Sequence, residues 1–565
     1  MTSARVSRSL ANLQTWYHAD GFGMIRLPDL YIHISHLPHS SYLEAMKRYP
    51  IGIQDFEKLR EGGYLYVDKT QQMYELLSAG NYFFLSRPRR FGKSLLLSTL
   101  KYFFQGRRDL FEGLWVDQHA DHDWAAHPVL HFSFSSSGYK SIGLEKALLR
   151  LIHQAAEEHQ VSLQAQDLPE QFKELIKALG SGPRKVVLLI DEYDKPLVDY
   201  LDDLPQAEAN RATLKNFFSV IKDADAYLRF FLITGVSKFS KVSLFSDLNH
   251  LNDLTIHPRY ASLTGYTPAE MDRYFGDEYP ALAEANGKDV PQIKAEIQRW
   301  YNGYQWEVGQ PVYNPFSVLR LFDAKRFANY WWESGTPTFL LKALKREFQF
   351  DLTEVQAGSA VFESYTLENL HWKGLLFQTG YLTIQDYHPD LELYILGYPN
   401  REVEASMSQH LLAEYRSQAA ADTQPIYANL KLALDRGDLD KVIAQINLLF
   451  STIPYQLFEA KRERFFHAIL HLTFQGLGLL TQSEVSMAKG RVDTIVQAKS
   501  GIYVMEFKLD ESAQAALDQI REQRYGSPYL DQGQPVTALG VSFSSKAKEV
   551  AEWEARPYAE LLAEG

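Results

Sequence analysis

The chain has 565 residues, 45% of them hydrophobic and 23% charged, with a net charge of −12. That length exceeds a single core and predicts roughly three to four domains; the composition excludes disorder, and the acidic balance excludes a general polyanion binder, so any nucleic-acid contact needs a local basic patch. With no cysteine, no secretory leader and no apolar run of bilayer-spanning length, disulfides, Cys-ligated zinc and thiol catalysis are excluded, and a soluble, cytoplasmic protein without membrane contact is predicted.

Residues 1–45 read as an N-terminal extension with His and Ser clusters, few periodic apolar positions and no motif; Met46 opens the first coherent segment. Residues 46–275 alternate short apolar strands with amphipathic helices. The strands are predicted over Tyr82–Leu85, Val129–Phe134, Val186–Ile190 and Phe230–Thr234. Helices are predicted over Ser94–Phe104, Leu144–Glu158, Pro169–Leu179 and Arg211–Asp223. Continuous apolar strands separated by helices predict an α/β fold with a parallel sheet covered on both faces.

Between the first strand and its helix lies Arg87-Pro88-Arg89-Arg90-Phe91-Gly92-Lys93-Ser94. A strand–loop–helix placement aims backbone N–H groups and the helix N-terminus at an anion. Lys93 would reach the β- and γ-phosphates of a nucleotide, and the Ser94 hydroxyl would ligate Mg²⁺. The usual loop has glycine six residues before the lysine; here that residue is Arg87, and only Gly92 is kept. Arg87, Arg89 and Arg90 would then clamp phosphate themselves. The strand Val186–Ile190 runs into Asp191 and Glu192: Asp191 would hold Mg²⁺ through water, and Glu192 would orient or deprotonate the attacking water. Helix capping is the plainer reading of these two acids. Thr234, ending the next strand, would sense the γ-phosphate. Arg259 is a candidate arginine finger only by its place after that strand, and Asp68-Lys69-Thr70 would line the adenine side unless Asp68 simply caps a helix.

Residues 276–454 are mainly helical and rich in Trp and Tyr (Trp300, Tyr301, Trp306, Trp331, Trp332), which are read as core. Within them Gly374–Tyr381, Leu382–Tyr387, Leu391–Leu396 and Arg401–Tyr415 predict helix, strand, strand, helix, a winged-helix-like lid too poor in Lys and Arg to read nucleic acid.

Residues 455–565 open with the helix Glu459–Leu477 and continue with strands Arg491–Lys499 and Ile502–Leu509, helix Ser512–Tyr525 and strand Thr537–Phe543. In a strand, residues two apart share a face, so Glu506 and Lys508 project together. Asp493, heading the neighbouring strand, can reach the same spot. Two carboxylates and an ammonium at one point suit a divalent cation beside a phosphate. A surface Glu–Lys pair is the plainer alternative.

The segments Tyr49–Phe56, Tyr66–Thr70, the Arg87–Ser94 loop, Asp191–Pro196, Leu244–Asn249, Tyr301–Tyr304 and Tyr313–Pro315 together resemble the bacterial AAA-ATPase-like family, whose members often end in a PD-(D/E)XK nuclease domain. The resemblance runs from about Met46 to the C-terminus and implies a P-loop NTPase sheet, a helical, winged-helix-like middle region and a C-terminal nuclease fold. It implies ATP and Mg²⁺ (or Mn²⁺) as cofactors. Asp493 and Glu506 would ligate the metal with the Phe507 carbonyl, and Lys508 would position hydroxide and stabilise the transition state. Glu463 would complete the metal site through water, with His467 one turn on and Glu484 as a second candidate acid; Gln519 would contact substrate or steady Lys508, near Tyr525. A nucleotide and a nucleic acid, DNA or RNA, are the implied partners, and a homo-oligomer or protein partner stays open. ATP-regulated phosphodiester cleavage is the favoured activity. A non-catalytic nucleotide switch that retains the nuclease fold is the alternative, and a motor on nucleic acid the third.

Overall fold

The computed structural model describes residues 47–238, 251–331, 338–347, 349–362, 371–416, 424–453, 463–477, 480–487 and 490–564, together with three strands before them, Thr15–Tyr17, Gly23–Leu27 and Leu30–Ile34. Those three pair antiparallel into a small sheet, which the weak apolar periodicity of residues 1–45 does not predict. Leu244–Asn249 and Trp332 lie outside the described residues. Among the described residues no helix is long and apolar enough to cross a membrane.

The first large sheet contains β1 (Tyr82–Ser86), β2 (Val129–Ser133), β3 (Val186–Asp191), β4 (Leu228–Gly235) and the short β5 (Asn252–Asp253). Their order is β2-β3-β4-β1-β5, and every pairing is parallel. Alternate residues serve two cores. Phe83, Leu85, Val187, Leu189, Phe230 and Leu232 pack towards α1 (Lys93–Phe104). Phe84, Leu188, Ile190, Phe231 and Ile233 pack towards the helices Leu144–Glu158, Leu168–Gly180 and Leu204–Asp223. This is why the strands read as unbroken apolar runs. Because β4 is inserted between β1 and β3, Thr234, next to its C-terminal end, falls between the Arg87–Ser94 loop and Asp191. The α/β expectation, with its sheet covered on both faces, holds.

The middle region is helical. It includes α2 (Pro315–Ala324) and a small sheet of β6 (Val355–Gly358), β7 (Thr383–His388) and β8 (Leu393–Gly397) in the order β7-β8-β6. With α3 (Trp372–Thr379) and α4 (Arg401–Arg416), the predicted helix–strand–strand–helix series is present. The added strand β6 is four residues of Val-Gln-Ala-Gly, too short and too poor in β-formers to read from sequence. Tyr301, Trp306 and Trp331 are buried, as core residues should be.

The last region opens with α5 (Glu463–Gly476) and builds a mixed sheet in chain order from β9 (Leu480–Met487), β10 (Gly490–Ala498), β11 (Gly501–Leu509), β12 (Val536–Ser544) and β13 (Glu549–Pro557). Only β11 and β12 pair in parallel, joined through the crossover helix α6 (Ala513–Gln523). The edge strand β13 has no counterpart in the sequence reading: Glu549, Glu552, Glu554 and Arg556 give it the charge expected of a strand that must not recruit another. Helix α4 lies along α5, and the buried Ser408 hydroxyl donates to Gln475 Oε1 at 2.9 Å. One apolar core runs from the parallel sheet through the middle region into the last sheet; Phe231, Trp331, Leu411, Phe466 and Phe507 all belong to it.

Candidate phosphate-binding loop and metal site

The loop after β1 turns into α1 at Gly92, whose φ of +85° is the reason a glycine stands there; a Cβ would meet nothing within 4 Å. Arg90 also adopts positive φ, at +67°. Arg89, Arg90, Gly92, Lys93, Ser94 and Glu192 line a cavity of about 380 Å³ together with Pro50 and Phe316, in the size range of small-ligand sites. Glu192 has a φ of +55°, a left-handed conformation that a non-glycine residue holds only when its surroundings impose it.

Three side chains converge beside the loop. The Ser94 hydroxyl donates to Asp191 Oδ2 at 2.6 Å, and the Thr234 hydroxyl donates to Asp191 Oδ1 at 2.7 Å. Lys93 folds back and donates to the carbonyls of Arg87 and Pro88, each at 2.9 Å. Burial lowers the Lys93 pKa, while the charges of Asp191, Glu192 and Asp194 oppose that shift. Ser94, Thr234 and Asp191 of the predicted set therefore meet in space, with Lys93 turned onto the loop's own backbone.

Arg87 is the correction. Its guanidinium is fully buried, donating to the carbonyls of Ser86 (2.9 Å), Thr255 (2.7 Å) and Tyr260 (3.1 Å) and lying 4.1 Å over the Trp306 ring. It faces the interior, where buried carbonyls need donors, and it does not line the cavity. It is a post that fixes the loop, not a phosphate clamp. Arg259 is exposed on the turn Pro258–Tyr260. Asp68 accepts from Thr70 N and its hydroxyl and from Trp115 N, so the capping alternative describes it. Lys69 pairs with Glu270 at 2.7 Å and lines an apolar cavity beside the loop with Tyr66, Thr264 and Tyr266.

Asp194 was missing from the predicted set. It is buried and accepts from Val236 N (3.0 Å), Ser237 N (2.7 Å) and the Ser237 hydroxyl (2.6 Å), tying the turn after β3 to the end of β4. Burial raises its pKa against the pull of those bonds. A Cβ on Gly235 would fall 2.7 Å from Asp194 Oδ1. Its sequence signals were a third acid after Asp191 and Glu192 and its place in the Asp191–Pro196 segment.

In the last sheet, the antiparallel register of β10 on β11 pairs Thr494 with Met505, which sets Asp493 beside Glu506. Phe507 N donates to Asp493 Oδ2 at 2.8 Å, and Asp493 N points to Glu506 Oε2 at 3.4 Å. Lys508 Nζ lies 3.4 Å from Glu506 Oε1 and donates to Gln519 Oε1 at 2.6 Å; Gln519 in turn faces the Tyr525 hydroxyl at 3.5 Å. His467 Nε2 is 3.5 Å from Asp493 Oδ2. Burial first, and the Asp493 charge second, push the Glu506 pKa well above the usual carboxylate range. Two facing carboxylates with one ammonium are short of positive charge, and the donor set fits a divalent cation on that ground. Among the described residues no group of three metal-ligating side chains converges. The side chains of Glu463 and Glu484, the candidates for a further ligand, lie outside the described residues.

Two families match the chain: one described as Predicted AAA-ATPase over residues 50–245, and the PD-(D/E)XK nuclease superfamily over residues 461–553. A protein of Azotobacter chroococcum mcd 1, described as an uncharacterized protein in the vnfD 5' region, is 39% identical over 523 residues, covering 90% of this chain and 98% of that protein. No solved structure matches.

Proposed function

We infer the function from one premise: the chain belongs to the predicted AAA-ATPase family and carries a PD-(D/E)XK nuclease superfamily domain near its C-terminus. It binds ATP at the Arg87–Ser94 loop, hydrolyses it, and cleaves phosphodiester bonds of DNA or RNA under nucleotide control. The observation that carries this reading is the meeting of Asp493, Glu506 and Lys508 at one point, with Lys508 steadied by Gln519 at 2.6 Å.

At the loop, Lys93 exchanges the carbonyls of Arg87 and Pro88 for phosphate oxygens, Arg89 and Arg90 line the approach, and Glu192, which lines the same cavity, orients a water. Asp191 gathers the Ser94 and Thr234 hydroxyls where Mg²⁺ would be held. At the second site Asp493 and Glu506 would hold Mg²⁺ or Mn²⁺, which supplies charge neutralisation at the scissile phosphate. Lys508 stabilises the negative charge that develops there.

The test is incubation of the purified protein with single- and double-stranded DNA and RNA, with and without Mg²⁺, Mn²⁺ and ATP. Metal-dependent cutting that Asp493→Ala and Lys508→Ala abolish is expected; variants that cut as well as the parent sink the assignment. A second reading, a non-catalytic nucleotide switch that retains the nuclease fold, is favoured by the burial of Glu506, which opposes its ionisation. ATP binding with neither Mn²⁺ binding by calorimetry nor cleavage of any substrate would select it.

A further inference from the structure

We propose that the C-terminal turn of α3, Gln378–Gly380, together with Trp331, grips both lips of the phosphate site and passes nucleotide state along α4 to the helix flanking the metal site. This rests on the nucleotide-binding reading above and names the device behind it.

The grip has three contacts. Gly380, at φ +88°, lies so close on the loop that a Cβ there would fall 2.7 Å from Pro88 Cγ. Gln378, itself buried, accepts from Lys238 N at 2.8 Å, four residues beyond Thr234 on the other lip. Trp331 Nε1 donates to the Arg89 carbonyl at 3.1 Å. The loop and the strand end that would sense the γ-phosphate are thus held by one turn and one indole of the middle region.

The transmission starts at the same indole. Trp331 N donates to Glu402 Oε1 and the Ser317 hydroxyl donates to Glu402 Oε2, each at 2.8 Å. Glu402 is fully buried in the first turn of α4. Two hydrogen bonds therefore join a loop carbonyl to a helix of 16 residues, about 24 Å long. From its midpoint onward α4 is bonded to α5 through Ser408–Gln475 (2.9 Å) and through Gln409 Nε2 to the Gly476 carbonyl (3.1 Å), with Tyr415 against Phe465. On α5 stands His467, 3.5 Å from Asp493.

A phosphate entering the loop has to draw Lys93 off the Pro88 carbonyl, the residue Gly380 rests on. It also draws on Arg90, a loop arginine whose charge favours ionised Glu402. Both changes fall on contacts of the grip, and a close-packed core passes such shifts on as discrete rearrangements. Packing between neighbouring regions, with no coupling, is the alternative that the test must separate.

The test is hydrogen exchange of the full chain with and without ATP and Mg²⁺, on the parent, Trp331→Phe and Gln378→Leu. Trp331→Phe keeps the aromatic core and removes one donor; Gln378→Leu removes a second of the three contacts at nearly constant volume. In the parent, nucleotide is expected to change exchange in the Arg87–Ser94 loop and by at least about fivefold in α4 and α5, the low end of site-to-site coupling. In both variants the change at the loop persists and that in α4 and α5 is lost. A parent response confined to the loop, or variants that transmit like the parent, overturns the inference while nucleotide binding stands. No response at the loop itself overturns the nucleotide reading, and the inference with it.

Discussion

The two phosphate-handling sites hold their charges in opposite ways. At the Arg87–Ser94 loop the principal polar groups already have partners: Lys93 on two carbonyls, Asp191 on two hydroxyls, Arg87 on three carbonyls. At the β10–β11 site two carboxylates face one another with Lys508 beside them, and Glu506 resists ionisation. The first site can accept a ligand by exchanging partners, at little electrostatic cost. The second is short of positive charge and gains most from a cation. Ligand removal should therefore be nearly silent for the loop and destabilising for the last sheet.

The largest effect expected is on cleavage. Removing a metal-holding carboxylate or the stabilising ammonium forfeits several kcal/mol of transition-state stabilisation, so Asp493→Ala and Lys508→Ala should each lower the cutting rate by about 10³-fold in a labelled-substrate assay. Next is Arg87→Leu, which leaves three buried carbonyls without their charged donor. It should lower unfolding stability in urea by about 3 kcal/mol. A loss of ATP affinity at unchanged stability would instead restore Arg87 as a clamp and erase the contrast between its fixed and Lys93's exchangeable partners. Lys93→Ala should weaken ATP at least tenfold by calorimetry, since a charge-assisted contact contributes about 1.5–3 kcal/mol. Stability should change far less than in Arg87→Leu. The smallest effect concerns Glu402, whose pKa burial pushes up to about 7. A carboxyl raised on folding contributes stability that is full below its unfolded pKa and is lost as pH rises through the folded value. Glu402→Gln should flatten the stability profile between about pH 4.5 and 7 by about 1 kcal/mol or more, read from urea midpoints; a profile parallel to the parent's would place the Glu402 pKa near its ordinary value.

Local signals carried most of what was legible. Val186–Ile190 is buried on both faces, so it reads as a strand without any knowledge of its neighbours. Glu506 and Lys508 share a face by the two-residue period alone, and β10 brings Asp493 alongside through a tight hairpin. Lys93 and Ser94 sit at the start of a helix that the sequence shows plainly. What stayed hidden depends on distant chain. The acceptors of Arg87 at Thr255 and Tyr260 lie 168 and 173 residues away, and Trp331 meets Arg89 across 242 residues. No spacing rule reaches that far. The strand β13 was hidden for another reason: its charges disguise it as surface.

The unbroken apolar core bears on how the chain can be divided. Leu411 and Leu412 of α4 share that core with Phe466 and Leu470 of α5. A cut between α4 and α5 would leave each fragment with a wet greasy face, and neither should stay in solution by itself. Heated intact, the three regions should melt as one cooperative unit, so a single calorimetric peak is expected where a string of beads would give several.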